Sequence, residues 1–217
     1  MYSAGLSFNY DKYDEDFCDP VFNYGEDIST DFINMKREER VPGVFFQYTG
    51  EFLDQRFIVM AGLRYDYHNI FGSIWTPRAH IMYKPDEFTS IKATFGRGLR
   101  TPNILAENSY LLASAANFYV NGELLGKNPA LLDDLKMEDS WNFGANVNRK
   151  FEVFGRTLNI NLDYYHTKFN DQVVVDNETA YNKVNFYNLD GDSYSNCYQV
   201  EVKYELIPRW EATLAYR

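Results

Sequence analysis

Long apolar runs are missing from this chain; the purely apolar ones are a few residues long, such as Val173-Val174-Val175. A membrane-spanning helix needs roughly 20 consecutive apolar residues, so no such helix is present. Basic excess is also missing. Lys and Arg number 21 against 31 Asp and Glu, a formal net charge of -10, which argues against nucleic acid as a partner because phosphate binding needs a basic face. Histidine is scarce, with only His68, His80 and His166. Neither G-x-S-x-G nor H-E-x-x-H occurs. His80 and Ser90 fall on the polar faces of neighbouring predicted strands, but no third partner accompanies them, so no enzyme is expected. The two cysteines, Cys18 and Cys197, leave a disulfide and two free thiols equally open. The opening Met1-Tyr2-Ser3-Ala4-Gly5 has no basic or apolar leader, so no signal peptide is read there.

What the chain does hold is rings. Aromatic residues make up 18%, with 18 Tyr and 17 Phe, at a mean hydropathy of -0.45. Those rings recur with period 2, the period of strands. Phe57, Val59, Ala61, Leu63, Tyr65 and Tyr67 alternate with Gly62, Arg64, Asp66 and His68. Trp141, Phe143, Ala145 and Val147 alternate with Asn142, Gly144, Asn146 and Asn148. Tyr198, Val200, Val202, Tyr204 and Leu206 alternate with Gln199, Glu201, Lys203 and Glu205. Stretches 2–10, 44–52, 78–83, 91–95, 158–164 and 210–216 behave alike, which makes about nine strands, several near the ~9–11 residues that cross a bilayer at a tilt.

A soluble β-sandwich alternates too. Two features separate the cases. Rings cluster toward strand ends, as with Phe52, Tyr65, Tyr67 and Tyr164, which fits interfacial aromatic girdles. Connections also alternate in length. Segments 53–56, 85–88, 150–155 and 206–209 read as short turns, and 11–43, 68–76, 98–137 and 169–193 as long loops. Outer-membrane barrels are trimmed at one end and looped at the other. The fold class expected is all-β, an antiparallel transmembrane β-barrel of up-and-down strands with residues 1–217 as one partial barrel domain. An open sheet in lipid leaves costly unpaired edges, and single-chain bacterial barrels have even strand numbers, so the barrel is expected to be incomplete.

The segment Gly96-Arg97-Gly98-Leu99-Arg100-Thr101-Pro102-Asn103-Ile104-Leu105-Ala106-Glu107-Asn108 resembles the barrel signature of TonB-dependent outer-membrane receptors, where an Arg-x-Pro element opens a long loop. Leu135-Lys136-Met137-Glu138-Asp139-Ser140-Trp141-Asn142-Phe143-Gly144 is similar to the family's start of the next strand, with Met137 where Pro is common and Gly144 where Glu is frequent. Gln172–Val175 followed by Asn188-Leu189-Asp190-Gly191 fits as well, and the whole resembles the versions found in gut Bacteroidetes. The resemblance implies a barrel of about twenty-two strands closed by a plug in the outer membrane of a Gram-negative bacterium. Such a receptor takes up a scarce small-molecule or glycan ligand (siderophore, cobalamin, haem or glycan) with energy from the TonB system, acting through a plug these residues do not contain. A passive porin-like barrel and a soluble β-rich carbohydrate-binding module are the alternatives.

Candidate plug or ligand contacts are Arg97, Arg100, Asn103 and Glu107 in the signature, with Tyr110, Phe118 and Tyr119 in the loop behind it. Arg100 shares the polar face of Lys92, Thr94, Gly96 and Gly98; ordinary lumen electrostatics is its bland alternative. The rings either stack on a ligand or pack the loop on itself. Outer-membrane lipid is expected against Val59, Leu63, Phe143, Ile160, Val200 and Leu214. Asp11, Asp14, Glu15, Asp16, Asp19, Glu26, Asp27 and Asp31, interspersed with Tyr13, Phe17, Phe22 and Tyr24, make an acidic segment. It lacks the spacing of a calcium loop and reads as solvated, as Asp190-Gly191-Asp192 reads as a turn. No metal and no cofactor are expected.

Overall fold

The computed structural model describes residues 1–19, 31–114, 116–125, 129–180, 182–207 and 209–217. Among these residues thirteen strands run in chain order: β1 (Tyr2–Asp19), β2 (Asp31–Phe52), β3 (Phe57–His68), β4 (Gly72–Tyr83), β5 (Thr89–Arg100), β6 (Asn117–Val120), β7 (Glu123–Leu124), β8 (Glu138–Val153), β9 (Arg156–Asn170), β10 (Val173–Asp176), β11 (Lys183–Asn188), β12 (Ser193–Ile207) and β13 (Trp210–Tyr216). Nine of them form one antiparallel sheet in the order β1-β2-β3-β4-β5-β8-β9-β12-β13. This is the up-and-down wall the alternation predicts, open at β1 and β13. The other four form a second sheet in the order β10-β11-β6-β7, which period 2 did not reveal.

Register carries the apolar residues of every strand to one face. One rung row runs Tyr48, Ala61, Ala79, Phe95, Phe143 and His166, and a second runs Gly50, Val59, Ile81, Ala93, Ala145 and Tyr164. A slip of one residue would send a strand's rings to the other face, so side-chain period and ladder must agree. Val59, Leu63, Phe143, Ile160, Val200 and Leu214 all fall on this apolar face. Leu63, Phe143 and Leu214 leave 46%, 47% and 74% of their surface uncovered, far from what a water-facing sheet tolerates.

Rings bracket the face at both ends. Tyr65 and Trp75 lie 4.6 Å apart, centre to centre, near the long-loop end, with Phe95 and Trp141 5.2 Å apart beside them. At the short-turn end Phe57 sits 6.2 Å from Phe52 and 6.4 Å from Tyr83. Phe57 and Tyr65 share β3, which has 12 residues and at ~3.4 Å per residue is ~40 Å long. Tilted by ~45°, that is enough for a hydrocarbon core of ~30 Å.

The opposite face is polar, and its side chains bond to one another across the ladder. Asn146 Nδ2 donates to Asp163 Oδ1 (2.7 Å) and Asn161 Oδ1 (2.8 Å), Asn148 to Asn159 (2.9 Å), and Asn142 to the Thr167 hydroxyl (2.7 Å). Glycines make room for large neighbours here. A Cβ on Gly144 would stand 2.4 Å from Thr94 Oγ1 and 2.7 Å from the Tyr165 ring, and one on Gly43 would stand 1.9 Å from Asp66 Oδ1. The space at Gly43 lets Asp66 accept two bonds from Arg64, at 2.6 and 2.8 Å, while Arg64 also donates to Ser7 at 2.9 Å.

Several expected loops are shorter. Strands β1 and β2 continue far past the apolar face, pairing Lys12 with Glu38 and Asp14 with Lys36, up to Asp19 with Asp31. The acidic segment is therefore largely a strand pair and not a loop. Opposite charges on the Lys12–Glu38 and Asp14–Lys36 rungs support that ladder without apolar alternation, although Asp11 stands opposite Glu39. Glu26, Asp27, Phe22 and Tyr24 lie outside the described residues. The turn after β3 is only 69–71, 150–155 shrinks to 154–155, and β12 runs on to Ile207. Cys197 is a free thiol, with Arg217 Nε 2.9 Å from its sulfur.

Substituting Gly43→Val is expected to expel Asp66 from Arg64 and lower unfolding stability by about 2–3 kcal/mol. Urea unfolding in detergent micelles measures it, and Gly72→Val, at a glycine with nothing within 4 Å but a positive φ of 77°, is expected to cost only about 1–2 kcal/mol through backbone strain.

Candidate functional site

The candidate site is the root of the long loops, where β5 ends and β8 begins. These strands pair from Thr89 with Arg149 up to Leu99 with Asp139 and Arg100 with Glu138. The two sequence blocks that carry the receptor resemblance therefore lie side by side, and their charged residues meet. Because side chains alternate, the pairs use opposite faces. On the apolar side Arg97 donates to Asp139 twice, Nε to Oδ1 and Nη2 to Oδ2, both 2.9 Å. On the polar side Arg100 Nε donates to Glu138 Oε2 at 2.6 Å, and its Nη1 lies 3.3 Å from Glu107 Oε2.

Glu138 does more than pair with Arg100. Its Oε1 accepts the backbone N–H of Val173 at 3.0 Å, so one carboxylate ties the end of β5 to the start of β10. A cavity of about 380 Å³ opens beside this hub, lined by Gly98, Arg100, Glu138, Ser140, Phe169 and Gln172. Glu107 belongs to the short helix α1 (Ile104–Glu107) and accepts from the Asn103 backbone N–H at 3.3 Å. Asn103, Glu107 and Arg100 thus sit together, as their closeness in sequence suggests, and Arg97 stands apart on the other face.

Above the root, segments 101–137 and 171–192 fold together as a cap. Strands β11 and β6 pair in parallel, Lys183 with Asn117 through Phe186 with Val120. Beneath them Ile104, Leu105, Phe118, Val120, Leu125, Leu135, Val184 and Phe186 form a core, joined by Met35 from β2. Each fully buried Leu or Phe supplies ~1.5–3 kcal/mol, which is how segments this long stay compact. Phe118, only 2% exposed, stacks 6.2 Å from Phe186; its role is packing. Tyr119 is half-buried with Lys183 Nζ 4.1 Å from its ring centre, and Tyr110 is exposed.

Sequence reasoning missed a buried charged cluster that joins the tall β1–β2 pair to the cap. Arg37, Glu39 and His68 are all buried. Arg37 Nε lies 2.9 Å from Glu39 Oε1, and Nη1 donates to the Pro102 carbonyl at 3.3 Å. The Ile70 N–H donates to His68 Nδ1 at 3.2 Å, and Nε2 faces Glu39 Oε2 at 3.4 Å. The signal was Arg37 and Glu39 alternating in step with Tyr13 opposite, hidden by reading 11–40 as a solvated loop. His80 and Ser90 share the polar face but stand on different rungs, opposite Thr94 and Asn148. Among the described residues no group of His, Cys, Asp and Glu is arranged to hold a metal.

An amphipathic meander with short turns at one end, a folded cap at the other and a polar inner wall is the wall of an outer-membrane β-barrel. The family model described as TonB dependent receptor-like, beta-barrel, matches residues 2–217, and the chain belongs to that family, whose members are outer-membrane proteins of Gram-negative bacteria. The probable TonB-dependent siderophore receptor PirA of Acinetobacter baumannii is 25% identical over 145 residues, covering 64% of this chain and 18% of the relative. Among solved structures, the siderophore receptor PirA of Pseudomonas aeruginosa superposes with a TM-score of 0.63 at 16% identity, over 99% of this chain and 36% of that one. The ferric enterobactin receptor PfeA of Pseudomonas aeruginosa, in its G324V form, gives 0.67 at 17%, over 99% and 32%. These likenesses show the fold, and the chain spans about a third of the length of those structures.

Removing Glu138 by Glu138→Ala is expected to destabilise the cap by about 2 kcal/mol, since it strands the Val173 N–H and frees Arg100. Arg100→Ala, with a side chain 57% exposed, is expected to cost less than about 1 kcal/mol. Hydrogen exchange across 173–188 measures both.

Proposed function

We propose that this chain supplies wall and outer cap to a receptor that takes up an iron-chelate ligand of the siderophore class, driven by TonB acting on a plug held within the polar face. The observation that carries this reading is the pairing of a lipid-fitted wall with a cap rooted on the Arg100–Glu138 hub, in a chain whose family is TonB dependent receptor-like. Its similar proteins support the ligand class, being siderophore and ferric enterobactin receptors. An iron transporter, FrpB of Neisseria meningitidis, also superposes, with a TM-score of 0.59 at 15% identity. Such a protein moves its ligand unchanged and is not an enzyme.

The roles of the parts follow from their chemistry. Val59, Leu63, Phe143, Ile160, Val200 and Leu214 lie against lipid. The amide-rich inner wall and Arg100, Asn103 and Glu107 meet plug or ligand. Tyr110 and Tyr119 offer rings at the surface of the cap, where flat chelating groups stack.

Uptake of radioactive iron on a panel of siderophores, by cells carrying the full-length receptor, tests the reading. Deleting 104–134 is expected to abolish ligand binding while the receptor still inserts. Uptake of haem, cobalamin or a glycan in place of every iron chelate would refute the ligand class, and uptake independent of TonB would make the barrel a passive porin. The lipid assignment is separate: Leu63→Arg is expected to cost about 2–4 kcal/mol in bilayers, against little for Gln47→Arg on the inner face.

A further inference from the structure

Seven of the eight strand contacts in the wall are continuous or nearly so, and the one between β4 and β5 is cut short. Its ladder runs from Tyr83 with Ile91 only as far as Arg78 with Gly96. Beyond that point β4 stays bonded to β3 up to Gly72, and β5 to β8 up to Arg100. Residues 72–77 and 97–100 thus face each other with no ladder between them. The break begins at Pro77, which has no N–H to give and whose carbonyl lies beside Gly96. By strand alternation the backbone of Trp75 points the same way.

There a side chain takes over from the ladder. Arg97 Nη1 donates to the Trp75 carbonyl at 3.0 Å, the one bond recorded across this stretch among the described residues. The rest of the guanidinium is clamped by Asp139 of β8, and its carbon sits 5.6 Å from the Trp141 ring centre. Arg97 therefore ties β4, β5 and β8 together at the level of the ring girdle.

The geometry points to a hinge in the barrel wall: the β4–β5 seam above Arg78 has the bridged arrangement seen here and a wider one, and Arg97 is the positioning residue that holds it bridged. Continuing the existing register would set Thr76 against Gly98 and Ile74 against Arg100. β5 stays laddered to β8 up to the Arg100–Glu138 rung, so widening the seam carries β5, β8 and the root of the cap together away from β4. Seam width and cap position are then two readouts of one bistable element. The strands behind the seam, β5, β8, β9 and β12, carry the cap, whereas β3 and β4 end in the short turn 69–71. This inference concerns the wall and holds whichever ligand the receptor takes.

Hydrogen exchange of the full-length receptor in lipid nanodiscs tests it. Arg97→Met is expected to raise exchange in 72–77 and 97–100 about tenfold, the loss of a charge-assisted bond, with 158–164 and 198–204 unchanged. Arg97→Lys, which keeps the charge and loses the fork, falls between. Bridging Thr76→Cys to Gly98→Cys, in a background with Cys18→Ser and Cys197→Ser, is expected to restore protection in Arg97→Met. A rise spread evenly over the wall, no rise at all, or a bridge that fails to restore protection would overturn the hinge. If Arg97→Met fails to insert, Asp139→Asn leaves Arg97 in place but unclamped, and the same local rise is expected.

Discussion

Everything in this wall depends on satisfying backbone N–H and C=O groups where no water can do so. In hydrocarbon an unpaired group costs several kcal/mol, so strands must find each other along their whole buried length. That need sets the register, and the register in turn decides which side chains share the apolar face. Leu63 faces outward because its rung neighbours Phe46 and Pro77 do; Arg64 faces inward, where Asp66 and Ser7 meet its guanidinium. The polar face can afford amides because they bond to each other, as Asn146 does with Asp163.

Above the girdles the constraint relaxes and the architecture changes with it. Water satisfies free backbone groups there, so β1 and β2 can run on with charged rungs, and the two long segments can leave the wall altogether. They are held by a different force. Phe118, Leu125 and Phe186 are buried in a small core that Met35 of the wall joins, and polar contacts also tie cap to wall: Glu138 with the Val173 N–H, Arg100 with Glu107 and Arg37 with the Pro102 carbonyl. Two structural regimes meet at the signature, and the arginines there face both: Arg97 toward the ring girdle, Arg100 toward the cap.

The wall was legible in sequence because a sheet with one oily face writes its geometry as period 2. Strand count and facing of Val59, Phe143 and Val200 followed from that alone. The ends of strands were not legible, because the alternation stops at the girdle while the ladder continues; Lys12 with Glu38 carries no apolar signal. The cap sheet was missed for a related reason. Phe118 and Val120, or Val184 and Phe186, are alternations too brief to stand out, and their parallel pairing joins segments far apart in the chain.

The sequence by itself determined the wall: which residues alternate, that the sheet is amphipathic, and that two charged blocks recur in a set order. Period 2 is a local property, and local properties survive in a string of letters. Tertiary structure decided that those blocks lie on adjacent strands, so that Arg97 meets Asp139 and Arg100 meets Glu138. It also decided that Phe118 packs inward, that His68 and Glu39 share a buried site, and that Pro77 interrupts a ladder which Arg97 spans. Each of these is a meeting of residues brought together by pairing register, and register belongs to pairs of strands, not to either one.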